Sequence, residues 1–208
     1  NAAPYNKPAL KITPVERFEY GDTADTSLVE VFNHCGTHID LPGHKIRDGK
    51  TLSDSSIEEF IFERPYIVDI PLQDEQNALV SDFEPYKQQL SQCDLLLIRS
   101  GFSRFRQTDK NRYVWKTPGV SVEAAKWLMQ TCPQLKAIGM DFLSFETLGD
   151  TSHKSQAHLA VLQRNVKIIE DLNLDNLANG KILRVFAFPL FIEGVDSFHA
   201  TVAAEIIE

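Results

Sequence analysis

Half of this chain's six histidines, together with a carboxylate, fall within the twelve residues Asn33-His34-Cys35-Gly36-Thr37-His38-Ile39-Asp40-Leu41-Pro42-Gly43-His44. Imidazole and carboxylate are the donors that zinc, manganese and similar divalent ions prefer. Crowding them gains nothing unless something cationic sits among them. A fold for this chain must therefore wrap the segment around one point. In a straight strand His34 and His38 would share a face, but with Cα atoms roughly 13 Å apart. Gly36 lets the chain leave a strand there, and Pro42 discourages helical geometry at Leu41. The expected path is a strand ending near His34, a tight turn over residues 36–37, and a loop from Leu41 that returns His44 to the site. Cys35 is expected to point away and pack as a small hydrophobe.

Along the rest of the chain, strand and helix signals alternate without a repeat. Residues 27–32, 66–70, 94–100, 135–140, 166–169 and 181–188 read as strands. Short helices are expected over 57–60 and 83–90, and a longer one over 122–130, with Ser121 as its N-cap and Pro133 beyond its end. A further helix over 152–165 places His158 on one face with Val161 and Leu162, pointing inward. The run Val166-Lys167-Ile168-Ile169-Glu170 then carries a carboxylate at its end. No linker or low-complexity stretch divides the chain, so a single α/β domain over residues 3–208 is expected. Asn1-Ala2 reads as an expression scar and is set aside.

Composition narrows the function. The chain has 208 residues, with 21 Lys and Arg against 29 Asp and Glu, a net charge of −8. That balance argues against nucleic acid or an anionic membrane surface as a partner. No apolar run in the sequence reaches membrane-spanning length, and no leader is expected before the first strand. Three scattered cysteines, Cys35, Cys93 and Cys132, fit reduced thiols, so the cytoplasm is the expected compartment. Rival catalytic motifs are missing: there is no G-x-S-x-G elbow, no Walker A loop and no G-x-G-x-x-G. Ser100-Gly101 has half of such an elbow and lacks its first glycine.

The pattern H-x-G-T-H-x-D-x-P-x-H, carried by His34, Gly36, Thr37, His38, Asp40, Pro42 and His44, resembles the signature of the cyclase-like metal-dependent hydrolases, the family of bacterial kynurenine formamidase and isatin hydrolase. Asp48-Gly49-Lys50-Thr51 and Ile138-Gly139-Met140-Asp141 continue the resemblance, and it ends in His158 and Glu170. It implies a mixed-sheet, barrel-like core with peripheral helices. It also implies that His34, His38 and Asp40 hold one metal and that His158 and Glu170 complete the site. His44 is implied to lie near a second metal or to act as the catalytic acid/base group. His153 and His199 match nothing in the pattern and read as ordinary. The segment Pro4-Tyr5-Asn6-Lys7-Pro8 lacks the Pro-Gly-rich entry common in the family, so the resemblance does not extend to the walls of a substrate pocket.

The expected cofactor is one or two divalent ions per chain, zinc first and manganese second. Such an ion lowers the pKa of its water to about 7, and of two ions about 3.5–4 Å apart one can polarise the carbonyl. Asp40 is the natural bridge, and His44 can protonate the departing nitrogen. The expected activity is hydrolysis of an aryl formamide or cyclic amide C–N bond, with N-formylkynurenine to kynurenine and formate as first choice. Ring opening of isatin-like or lactone substrates, and a non-catalytic metal-binding role, are the alternatives. A small-molecule amide substrate and a homodimer or higher homo-oligomer complete the expectation.

Overall fold

His38-Ile39-Asp40 alternates polar, apolar, polar, the period-2 signature of a strand with two different faces. In the computed structural model, which describes residues 10–149 and 155–207, these residues form a strand in the middle of an eight-stranded sheet. In chain order the strands are β1 (Leu10–Glu16), β2 (Thr26–Val31), β3 (His38–Asp40), β4 (Ile61–Phe62), β5 (Pro65–Asp69), β6 (Asn77–Ala78), β7 (Leu95–Arg99), β8 (Gly119–Val120), β9 (Ala137–Met140), β10 (Lys167–Glu170), β11 (Ile182–Pro189) and β12 (Ser197–Ile206). The helices are α1 (Val80–Phe83), α2 (Lys87–Leu90), α3 (Phe105–Thr108), α4 (Lys110–Trp115), α5 (Val122–Thr131) and α6 (Gln156–Leu162).

The large sheet runs β4-β11-β12-β3-β10-β9-β7-β5. Strands β5, β7, β9 and β10 are parallel, and antiparallel pairing continues the sheet through β3, β12, β11 and β4. Only Glu63 and Arg64 separate β4 from β5, the strands at its two ends, so the edges are held together and the sheet curls. Asp94 secures that corner, accepting the amides of Glu63 at 3.0 Å and Arg64 at 2.8 Å.

Every strand of the curled sheet sends an apolar side chain into one enclosed cluster: Ile39, Phe62, Ile67, Leu97, Ala137, Ile169, Val185 and Val202. Gly139 is needed for that closure, because a Cβ there would lie 2.7 Å from Leu172 and 2.9 Å from Leu97. Against the outer face, Leu96, Ile98, Ile138 and Ile168 pack on Ala124 and Leu128 of α5 and Val161 and Leu162 of α6. The architecture is the mixed-sheet, barrel-like α/β arrangement with peripheral helices. No described helix is long and apolar enough to cross a membrane.

Several local expectations are corrected. The strand expected to end near His34 ends at Val31, and residues 33–37 form a run of bends with Gly36 at φ 65°. β3 is not among the expected strands, because two charged-type residues flanking one isoleucine carry little strand propensity. β12 was missed for a similar reason: its inward positions include Ala200, Val202 and Ala204, small residues that suit the tight interior. The helix expected over 83–90 is split into α1, a 3-10 turn Glu84–Tyr86 and α2. Pro85 lacks the N–H that a continuous ladder requires. The helix expected over 152–165 is described only as α6, entered through Ser155 at φ 65°, and His153 lies outside the described residues.

One buried clamp ties the helical side to the segment before β3. Asp171 follows β10 at φ 58° and is 3% exposed. Its carboxylate accepts from Arg106 Nε at 2.7 Å, Arg106 Nη2 at 2.9 Å and Tyr113 Oη at 2.6 Å. Its carbonyl accepts from Thr37 Oγ1 at 2.6 Å. Asp171→Ala leaves a half-buried guanidinium and a buried phenol without their acceptor, and an unsatisfied buried group costs about 1–3 kcal/mol. Chemical denaturation should show a loss of that order; a change below about 1 kcal/mol would mean the clamp is not structural.

Candidate metal centre

Sheet register does the first part of the assembly. His38 lies opposite Glu170 of β10 on one side and His199 of β12 on the other, and Asp40 lies opposite Ile168 and Ser197. Directly opposed residues project from the same face. Ile168 packs on the outer, helix-covered face, so His38, Asp40 and Glu170 emerge there too. α6 crosses that face, and His158, beside Ala157 and three residues before Val161, descends onto Glu170. The bends over 33–37 bring His34 alongside. His44 ends the 3-10 turn Pro42–His44, entered through Leu41 in extended conformation as the following proline requires.

The structure thus brings together His34, His38, Asp40, His44, His158 and Glu170. His34 Nδ1 is 3.0 Å and His38 Nε2 3.5 Å from Asp40 Oδ1, and His38 Nε2 is 3.4 Å from Glu170 Oε2. His158 Nε2 is 3.3 Å from Glu170 Oε1, which also accepts the Phe145 amide at 2.8 Å. The His34 and His44 rings are 4.2 Å apart and the His44 and His158 rings 5.9 Å. Donor atoms of His34, His38 and Asp40 lie within 4.8 Å of one another, as do those of Asp40, His44 and His158, so Asp40 belongs to both groups.

Two observations test whether a cation fits. Among the described residues, the buried side-chain polar atoms without a hydrogen-bond partner are His38 Nε2, both oxygens of Asp40, and Ser197 Oγ, which sits opposite Asp40 in the sheet. Buried polar atoms are nearly always satisfied, so four orphans around one point mark a place for a ligand. The second observation is that each of the four rings has one nitrogen held from outside. His34 Nε2 meets Asp196 at 3.0 Å, His38 Nδ1 meets the Gly36 carbonyl at 2.8 Å, His44 Nδ1 meets Asp196 at 2.9 Å and His158 Nδ1 meets Glu146 at 2.8 Å. Metal-ligating histidines characteristically donate their other N–H to such an acceptor. Nitrogen and carboxylate donors fit zinc or manganese.

The electrostatics agree. Burial alone would depress His34, yet the hydrogen bond to Asp196 and the negative charge of Asp196 and Asp40 raise it to about 10. His158 is likewise raised to about 9, burial being outweighed by Glu146 and Glu170. Burial opposes ionisation of Asp40 and Asp196, but the surrounding imidazoles hold both well below the usual carboxylate range. The cluster demands positive charge.

Sequence reasoning missed Asp196 and Glu146, the outer acceptors, since a lone acidic residue in a loop carries no signal of its own. Asp141 does not join the centre: its carboxylate accepts from the amide and hydroxyl of Ser100 and the amide of Gly101. Cys35 is 2% exposed, with Sγ 3.4 Å from His199 Nε2. His199, which matches nothing in the motif, lies in β12 opposite His38.

Comparison with known proteins gives this chain relatives in sequence and in fold. The Cyclase family profile, described as "Putative cyclase", matches residues 4–147. Cyclase-like protein 3 of Oryza sativa subsp. japonica is 28% identical over 189 residues, covering 85% of this chain and 64% of that protein. A kynurenine formamidase of Erythrobacter litoralis is 27% identical over 185 residues, covering 87% of this chain and 77% of that one. Among solved structures, an isatin hydrolase bound to the product analogue thioisatinate superposes with a TM-score of 0.79 at 17% identity, covering 96% of this chain and 82% of that one.

Two outcomes follow for the isolated protein. Elemental analysis should find about one or two divalent ions per chain, as a site of this donor set suits, and Glu170→Gln should lower that content; no metal and no binding on titration would overturn the centre. Chelator-stripped protein carries protons on His34 and His158 at neutral pH, because their raised values, about 10 and about 9, lie above it. Metal uptake must displace them. Calorimetry in buffers of different ionisation heat should therefore show net proton release, with affinity rising as pH rises towards 9. In the stripped protein the raised values have the opposite consequence for folding. The stability they contribute is complete below the ordinary 6.5 and lost as pH climbs through about 9 to 10. Buffer-independent heats would contradict this protonation.

Proposed function

The chain belongs to the cyclase family, and on that premise we propose that it is a metal-dependent hydrolase acting on an aryl formamide or cyclic amide C–N bond. The observation that carries the reading is the convergence of unpartnered buried donor atoms inside a ring of histidines that are all held from outside. His34, His38 and Asp40 would hold one ion, and Asp40, His158 and Glu170 a second, zinc or manganese. A divalent ion supplies Lewis acidity, polarising a carbonyl and acidifying water at neutral pH.

The chain's own residues supply the rest. Glu170 Oε1 is anchored by the Phe145 amide, which leaves Oε2 directed at His38. His44 has Nδ1 engaged by Asp196, so Nε2 is the nitrogen available to move a proton. In amide hydrolysis, water gives up a proton as it adds to the carbonyl carbon and the C–N bond breaks; His44 Nε2 is assigned to take that proton and return it to the departing nitrogen. Phe32, half-buried with its ring 5.8 Å from that of His34, offers an apolar wall to an aryl group. The relatives named kynurenine formamidase support N-formylkynurenine as the first substrate, giving kynurenine and formate. Ring opening of isatin-like or lactone substrates would use the same centre with a different pocket.

The metal-loaded chain should be assayed on N-formylkynurenine, isatin and an aromatic lactone, with and without chelator. The expected result is highest kcat/KM on N-formylkynurenine, abolished by chelator and restored by metal. Preference for isatin or the lactone would shift the reading to ring opening, and no turnover of any member would leave a metal-binding protein. His44→Ala should lower kcat by about 10²–10⁴-fold with metal content unchanged. Concurrent loss of metal would reassign His44 as a ligand.

A further inference from the structure

Asp196 stands outside the groups built on Asp40, yet it contacts two histidines of the centre through a single atom. Its Oδ2 lies 3.0 Å from His34 Nε2 and 2.9 Å from His44 Nδ1, and its Oδ1 lies 3.4 Å from Asn33 Nδ2. The backbone beneath it is registered to β3: the Asp196 carbonyl accepts the Leu41 amide at 3.0 Å, and the next residue, Ser197, pairs with Asp40. We infer that Asp196 is the positioning residue of this centre, one carboxylate oxygen fixing the ring orientation and N–H position of both His34 and His44.

The argument is one of nitrogen accounting. An imidazole nitrogen that donates its hydrogen to a carboxylate cannot also offer a lone pair to a metal. With Nε2 turned to Asp196, His34 presents Nδ1, the nitrogen that lies 3.0 Å from Asp40. With Nδ1 turned to Asp196, His44 presents Nε2. Asp196, His34 and His44 also have donor atoms close enough to form a metal group of their own. That use would take His34 Nε2 away from Asp196 and leave Nδ1 beside Asp40 without a role, or would need both nitrogens of one ring bound at once. Keeping Asp196 outside uses each ring once. Exposure agrees, since the Asp196 side chain is 27% exposed against 1% for Asp40. Because both rings share one oxygen, they are held as a pair: losing the carboxylate releases the metal-side histidine and the proton-carrying histidine together.

The consequence for metal affinity rests on the metal-centre reading, whereas the ring geometry does not, and the experiment separates the two. The full chain is compared as wild type, Asp196→Asn and Asp196→Ala, stripped with chelator and titrated with zinc. Asparagine is nearly isosteric, and circular dichroism with thermal melting confirms that each variant is folded. Three quantities are read: zinc per chain at saturation, zinc Kd by competition with a chromophoric chelator, and the hydrogen-bonded ring N–H signals of His34 and His44 in 15N-edited NMR. The expected result is unchanged stoichiometry, Kd weakened about 10–100-fold, and loss of both ring signals in the variants. Reduced stoichiometry would make Asp196 a ligand and overturn the inference, as would unchanged Kd with unchanged ring signals. If the wild type binds no zinc, the metal reading fails, and the stripped protein still decides on Asp196. Loss of the ring signals in Asp196→Asn then upholds its positioning role, and their persistence overturns it.

Discussion

Two carboxylates, Asp40 and Glu170, sit at 1% and 6% exposure on neighbouring strands of one sheet, and the rest of the site follows from the need to neutralise them. An isolated buried carboxylate costs far more than a fold can sustain, so it is paired, protonated or bound to a cation. Here the surrounding groups are imidazoles, which can carry the positive charge themselves as protons or hand it to a metal ion. The raised His34 and His158 and the lowered Asp40 express the first state. The unpartnered oxygens of Asp40 express its incompleteness, because protonated rings at these angles do not satisfy it. A divalent ion meets both demands at once.

Placement of those groups relies on the stiffest parts of the fold. His38, Asp40 and Glu170 are strand residues whose mutual geometry is set by backbone pairing, and His158 is carried on a helix packed over the same face. Sites built on such elements hold their geometry better than sites on loops. The less regular contributors, His34 and His44, are the two that need Asp196. The ion pair of buried Asp171 with half-buried Arg106 secures the same region from the other side, Asp171 also gripping Thr37 one residue before β3. Outer acceptors therefore do for the irregular segments what hydrogen-bond ladders do for the strands.

The curled sheet explains why one short strand can host this chemistry. Ile39 enters the enclosed cluster while its two neighbours point outward, so β3 anchors the core through one side chain and presents two donors. A one-residue slip would bury the donors in the barrel and expose the isoleucine. Pairing on both sides, with β10 and β12, prevents that slip.

What was legible in the sequence was chemistry and spacing. The donor types at 34, 38, 40 and 44, the apolar runs of the parallel strands and the inward face of His158 could be read locally, because each depends on neighbours a few residues away. The identity of β3 and β12 was not, since residues as polar as His38 and Asp40, or as small as Ala200 and Ala204, become strand residues only when a barrel interior and a charged centre lie on their two sides. Asp196 was beyond reach for a simpler reason. It is 162 residues from His34 and 152 from His44, and only the pairing of β12 against β3 brings its carboxylate between them. The sequence by itself determined which donors the candidate centre offers; tertiary structure decided which nitrogen of each ring faces inward, because that choice belongs to acceptors such as Asp196 and Glu146 brought in from other parts of the chain.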